Sequence, residues 1–255
     1  MPTDAHPGLD PAGPRTAGPM FAALYGSLRP HPERGSRDPY ALFHDRSVAM
    51  GWIDGLWGMN DAGLGDPGSS LVAWFQVGAE AVPGDRPLPV QPFLRCAGDV
   101  VARIGRLGLR AVQVLLPVQG LEPSPRTPSM FAARWFDDRD PRSRTPVRVT
   151  LDSGRATSVP EAAGALRDRI RQLHQDVFVC ESSEVGGHEP PAPPFDDGFW
   201  NGPPGQRVTF EGTLAEWSPD ALGWLGAFLG DLAAQQGVTS PLLLTVSTIE
   251  GEEPL

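Results

Sequence analysis

The chain of 255 residues contains no lysine; all 21 of its Lys+Arg positions are arginine. A pyridoxal phosphate Schiff base, a lysine nucleophile and a phosphate-loop lysine are therefore excluded. Cysteine is almost as scarce. Cys96 and Cys180 lie far apart, each within an apolar stretch, with no CxxC and no metal-ligand spacing. Both read as small buried hydrophobes, and neither a disulfide scaffold nor a structural zinc is expected. Histidine is limited to five residues, none paired at metal spacing, so no metal site is expected. No GxSxG, HExxH or DxDxDG stretch occurs, and no cofactor is expected.

Long apolar runs are also lacking. Residues 1–19, MPTDAHPGLDPAGPRTAGP, have no signal-like apolar core, and no stretch reaches membrane-spanning length. They read as a disordered Pro/Gly-rich leader on a cytoplasmic protein with no membrane partner. A net charge of −10 argues against a nucleic-acid partner, because counterion release needs clustered cations. Arg139, Arg142, Arg144 and Arg148 form a local basic run, but acids and prolines interrupt it, so it reads as a solvated face.

What is present is a hydrophobic fraction of 40% with 30 Gly and 29 Pro, the composition of a globular chain with long connections. Two stretches match in their order of elements. Residues 70–81 read as a strand and 89–108 as a helix with Phe93, Ala97, Val100, Val101, Ile104 and Leu107 on one stripe. Residues 109–120 then read as a buried strand. Downstream, 206–217 is a strand and 218–237 a helix opened by Ser218 and Pro219, with Leu222, Leu225, Leu229 and Leu232 inside; 241–251 closes as a strand. Both helices carry a mid-helix Gly-Asp pair, at Gly98-Asp99 and Gly230-Asp231.

A further helix is expected over 158–174, with Ser158 and Glu161 at capping-box spacing, between strands at 146–154 and 176–183. That gives β-α-β-β-α-β over the second half, the order of a ferredoxin-like unit. The first half reads the same way, with MFAALYGSL as opening strand and 39–58 as helix, its second strand obscure. MFAA recurs at 130–133, but one such match is expected by chance. The expectation is an α+β fold of two fused ferredoxin-like halves, 20–119 and 130–255. A linker at 120–129 joins them, and few strand pairings should cross it.

A long loop, 183–206, interrupts the second half. Its tip places Asp196, Asp197, Phe199 and Trp200 together, with Phe195 beside them and His188 upstream. Aromatics in a loop this long must pack on something, so these four are the candidate binding residues, with Trp200 as anchor. His44 and Glu211 are the weak catalytic candidates. Trp52, Trp57, Trp74 and Trp200 are available for a groove or partner surface.

Residues 25–29, Tyr-Gly-Ser-Leu-Arg, resemble the opening motif of gamma-glutamylcyclotransferase-like proteins. The sequence after Arg29 departs from that family, and the duplicated order does not suit its small barrel, so its catalytic glutamate is not carried over. The function expected from the sequence is a non-catalytic binding or protein-interaction protein, with a protein partner or a small-molecule ligand. The alternative is a small-molecule enzyme using a cavity between two ferredoxin-like sheets. A buried polar pocket containing His44 or Glu211 would favour the enzyme; an exposed apolar patch at Trp200 without a pocket would favour the interaction protein.

Overall fold

Eight strands form one sheet in the order β2-β3-β1-β4-β8-β5-β7-β6, and every pairing is antiparallel. The computed structural model describes residues 17–32, 38–122, 126, 130, 142–173 and 175–249. In chain order these give β1 (Gly18–Pro30), α1 (Pro39–Ala49), β2 (Trp57–Leu64), β3 (Leu71–Ala79), α2 (Val90–Ile104) and β4 (Gly105–Leu116). The second half gives β5 (Thr145–Asp152), α3 (Ser158–Gln172), β6 (Phe178–Val185), β7 (Arg207–Leu214), α4 (Pro219–Gln235) and β8 (Leu242–Thr248). The fold is mixed α+β. Each half runs β-α-β-β-α-β, and in each the last strand lies beside the first, followed by the third and then the second.

Among the described residues, one of the seven strand pairings crosses the 120–129 segment. β4 pairs with β8 over six residues, with Val112 opposite Val246, Val114 opposite Leu244 and Leu116 opposite Leu242. The two halves thus meet strand to strand and share one sheet. Both closing strands are apolar on the helix side, so pairing them buries two edges that would otherwise stand open. Above the seam, α2 and α4 cross closely: a Cβ on Gly223 would lie 2.4 Å from Gln91 Cα, and one on Gly98 2.8 Å from Pro219 Cγ. The Trp217 indole adds a bond across the halves, donating to the Leu109 carbonyl at 2.9 Å.

The four described helices pack on one sheet face. Met20, Ala22 and Leu24 of β1 and Val147, Val149 and Leu151 of β5 point into that core, as period-two alternation requires. Local signals explain two of the four described helix starts. Asp38 caps α1 by accepting from Tyr40 N–H, and Ser218 caps α4 by accepting from Ala221 N–H, each with proline in the first turn. α3 is capped differently from expectation: its N-cap residue is Thr157, whose hydroxyl bonds Glu161, and Ser158 lies inside the helix. The helix expected over 39–58 stops at Ala49. Gly51 then takes a left-handed φ of 66°, and the second strand of this half begins at Trp57.

The 120–129 stretch is no free tether where it is described. Arg126 is buried against α4, with Nη1 3.4 Å from Asp231 Oδ1 and its backbone N–H donating to Oδ2 at 3.1 Å. Trp224 donates to the Met130 carbonyl at 3.1 Å. This is why α4 is buried all round and not on one face only. The second MFAA copy beyond Met130, together with Arg139 and His174, lies outside the described residues.

Candidate functional site

The sheet face opposite the helices changes character at its middle. On the first half it is apolar: Phe21, Ala23, Tyr25, Ala111 and Leu115 form a separate cluster. From β8 outward it is polar. Strand register aligns Gln113, Thr245, Thr150, Thr209 and Glu184 in one row across five strands. The neighbouring row is Ala111, Ser247, Arg148, Glu211 and Ser182. Each polar residue alternates with a core residue on its own strand, so one face carries all of them.

The long loop starts later than expected, because β6 continues to Val185. Gly186 and Gly187 have φ of 82° and 72°, a left-handed pair that turns the chain down over this open face. The Thr209 hydroxyl donates to the Gly186 carbonyl at 3.1 Å. The loop then crosses to the other half. Gln113 Nε2 donates to the Pro191 carbonyl at 2.6 Å. Tyr25 Oη donates to Gln113 Oε1 at 2.7 Å and lies 3.4 Å from the Ala192 carbonyl. Burial pushes the Tyr25 phenol up, which keeps it a donor. Gln113 is fully buried on an apolar strand, and the crossing loop supplies the acceptor for its amide.

The aromatic tip lands on the apolar half. Phe195 meets Phe21 edge to face at 4.7 Å, Phe199 lies 6.4 Å from Phe21, and Phe21 stacks on Trp74 at 5.8 Å. Trp200 packs half-buried against the same cluster. The loop returns by Asn201, whose Nδ2 donates to the Ser153 carbonyl at 3.0 Å, and by Gly205, whose N–H donates to the Asp152 carboxylate at 2.9 Å. It is a strap: rooted in the second half, docked on the first.

Asp152 is a buried carboxylate at the strap's far end. It accepts from Gly154 and Gly205, yet burial outweighs these bonds and pushes its pKa above the ordinary 3.8. The folded chain therefore holds this proton more tightly than the unfolded one. The resulting stability is fully present below the ordinary value and is lost as pH rises through the folded value. Asp152→Asn lacks that term. The melting temperature of wild type minus variant should fall as pH rises above the ordinary carboxylate value of 3.8; a difference that holds constant or rises would remove this reading.

The strap leaves the polar half open on one side, and a cleft results. One chamber, about 510 Å³, is lined by Arg110, Arg148, Thr150, His188, Thr245 and Ser247 among others. A second, about 660 Å³, shares Arg148 and His188 and adds Glu184, Thr209 and Glu211. Arg148 donates through Nε and Nη2 to Glu211 Oε1, at 3.1 and 2.8 Å. Thr150 and Thr209 hydroxyls bond each other at 3.3 Å. Thr245, only 4% exposed, has a buried hydroxyl with no hydrogen-bond partner among the described residues. Arg110 sits at the register shift between β1 and β4, where the extra residue of a bulge re-aims a side chain.

Of the catalytic candidates, Glu211 lies in the cleft and His44 does not. His44 is exposed on α1, stacked on Tyr40, on the helix side of the sheet. Of the binding candidates, Phe199 and Trp200 dock the strap, Asp196 caps the turn 197–199 by accepting from Gly198 N–H, and Asp197 is exposed. Trp57 is core, fully buried against Phe43 and Phe93, and Trp52 packs beside it, so neither lines a groove. Arg148, read as part of a solvated run, is instead the centre of the cleft. Burial pushes Cys96 to about 11 and raises Cys180, leaving both unreactive. Among the described residues no group of His, Cys, Asp and Glu could hold a metal ion, and no helix is long and apolar enough to cross a membrane.

Gly26 of the Tyr-Gly-Ser-Leu-Arg motif has a local reason. It stands at φ 151° where a Cβ would lie 2.0 Å from the Gly108 carbonyl oxygen, so the close β1–β4 approach requires glycine. Comparison with known proteins gives no significant match to any family model, any curated protein or any solved structure.

Proposed function

We propose that the protein is a non-catalytic binding protein whose ligand is a small polar molecule seated in the open-face cleft beside the strap. The observation that carries this reading is the polar cleft itself, containing Glu211 and Arg148, while the aromatic tip is docked and not offered to a partner. The cleft at Glu211 is polar but open, with the Glu211 side chain 44% exposed, so it is not the buried pocket that would favour an enzyme; without an exposed apolar patch at Trp200 it supports a small-molecule site over a protein-interaction surface. The repeated β-α-β-β-α-β order and the matching strand order in each half support two ferredoxin-like units, 20–119 and 130–255, as the framework. With one continuous sheet, the ligand lies on the sheet and not between two of them.

Native mass spectrometry of the full chain purified from its own host tests the reading. A molecule of small mass should be retained by wild type and lost from Arg148→Gln. Retention of a protein partner alone, or of nothing, would overturn it. Trp200→Ala should release the strap tip and lower ligand retention more than melting temperature. If the melt falls by many degrees while the ligand stays, the strap is plain packing. The enzyme reading is favoured by one observation, His188 and Glu211 lining the same chamber, where an imidazole and a carboxylate could act on one ligand.

A further inference from the structure

We infer that the chamber between Arg110, Arg148 and Thr245 takes an oxyanion, the carboxylate or phosphate end of the cleft's ligand; this rests on the reading of the cleft as a ligand site. The described lining of this chamber contains two arginines, His188 and the hydroxyls of Thr150, Thr245, Ser247 and Thr248, and no carboxylate. The charged side chains of this described lining are arginines, although Arg148 also donates to Glu211 of the adjoining chamber, which offsets part of its charge. Arginine with hydroxyl donors is the combination that holds planar or tetrahedral oxyanions.

Thr245 supplies the independent observation. Its neighbours in the row are satisfied: Gln113 by Tyr25 and Pro191, Thr150 by Thr209. Thr245 lines the chamber, and its hydroxyl is buried with no partner among the described residues. Buried polar atoms without partners are uncommon and call for an explanation. Valine would fill the same volume without the penalty, so packing does not account for a hydroxyl here. An acceptor from outside the chain does.

The adjoining chamber limits the rest of the molecule. Glu184 and Glu211 line it, so a second negative charge is disfavoured there and hydrogen-bond donors are favoured. The ligand class is a molecule with one oxyanionic end and a donor-bearing remainder.

The test is titration calorimetry of the full chain with sodium acetate, orthophosphate, 4-aminobutyrate and succinate at constant ionic strength. At least one oxyanion should bind saturably, acetate over phosphate marking a carboxylate and the reverse a phosphoryl group. 4-Aminobutyrate should bind at least several-fold tighter than acetate, and succinate should gain nothing. Thr245→Val should weaken binding about tenfold or more with an unchanged or higher melting temperature, and Thr245→Ser should restore it. Should Thr245→Val not fold, Arg148→Gln carries the same comparison. Saturable binding of none of the four, or equal affinity in Thr245→Val, overturns the inference. If wild type still retains a molecule in native mass spectrometry that these anions do not displace, the binding reading stands and only the oxyanion assignment falls.

Discussion

Asp231→Ala is expected to destabilise the protein by about 3–5 kcal/mol, the cost of leaving a buried charge without its partner. Asp231 sits near the C-terminal end of α4 with a side chain 1% exposed, against an Arg126 side chain that is fully buried. Its carboxylate also accepts from the Arg126 backbone N–H at 3.1 Å and from Gln235 Nε2 at 2.8 Å. Removing it takes the carboxylate from the guanidinium and from two N–H donors at once, in a place water does not reach. The Arg126→Met, Asp231→Leu double variant should recover most of the loss, because replacing both members of a buried pair by apolar groups removes the desolvation cost as well. Urea midpoints of the three chains check this. An Asp231→Ala midpoint equal to wild type would mean that the connector is not seated on α4.

Leu229→Ala should cost about 2–5 kcal/mol, as truncations of buried leucines do. Leu229 is fully buried on the same helix, which is covered on every side by the sheet, α2, α3 and the connector. A void there has few ways to collapse, since α2 and α4 are already in backbone contact at Gly223. The effect therefore belongs in the upper part of that range. Thermal or urea unfolding indistinguishable from wild type would place this face of α4 in solvent.

Most helix and strand positions were legible because their periodicities are long and their stops distinct; β2 was not, since 39–58 reads as one helix that in fact ends at Ala49. Ser218-Pro219 opens α4 where the sequence puts it, and the runs at 70–81 and 206–217 are strands. The join between the halves was not legible. Apolar alternation in β4 and β8 says that each strand is buried, but not which strand each one pairs with. That pairing decides the site. The polar residues Arg148, Thr150, Glu211 and Thr245 alternate visibly along their own strands, yet only the register gathers them into two rows. The loop's aromatics were recognisable as anchors. Their landing place, on Phe21 of the other half, depends on the shared sheet and on the buried Tyr25–Gln113 pair, which nothing local in the sequence distinguishes.

We propose that the open sheet face, bounded by the strap, binds a ligand, and a crystal structure of the full chain as purified from its own host tests that placement most directly. Density for a bound small molecule is predicted in the cleft, with an oxyanionic end within hydrogen-bond reach of Thr245 Oγ1 and Arg148, and with the strap seated on Phe21. A cleft occupied only by water, with a ligand or partner bound on another face, would contradict it.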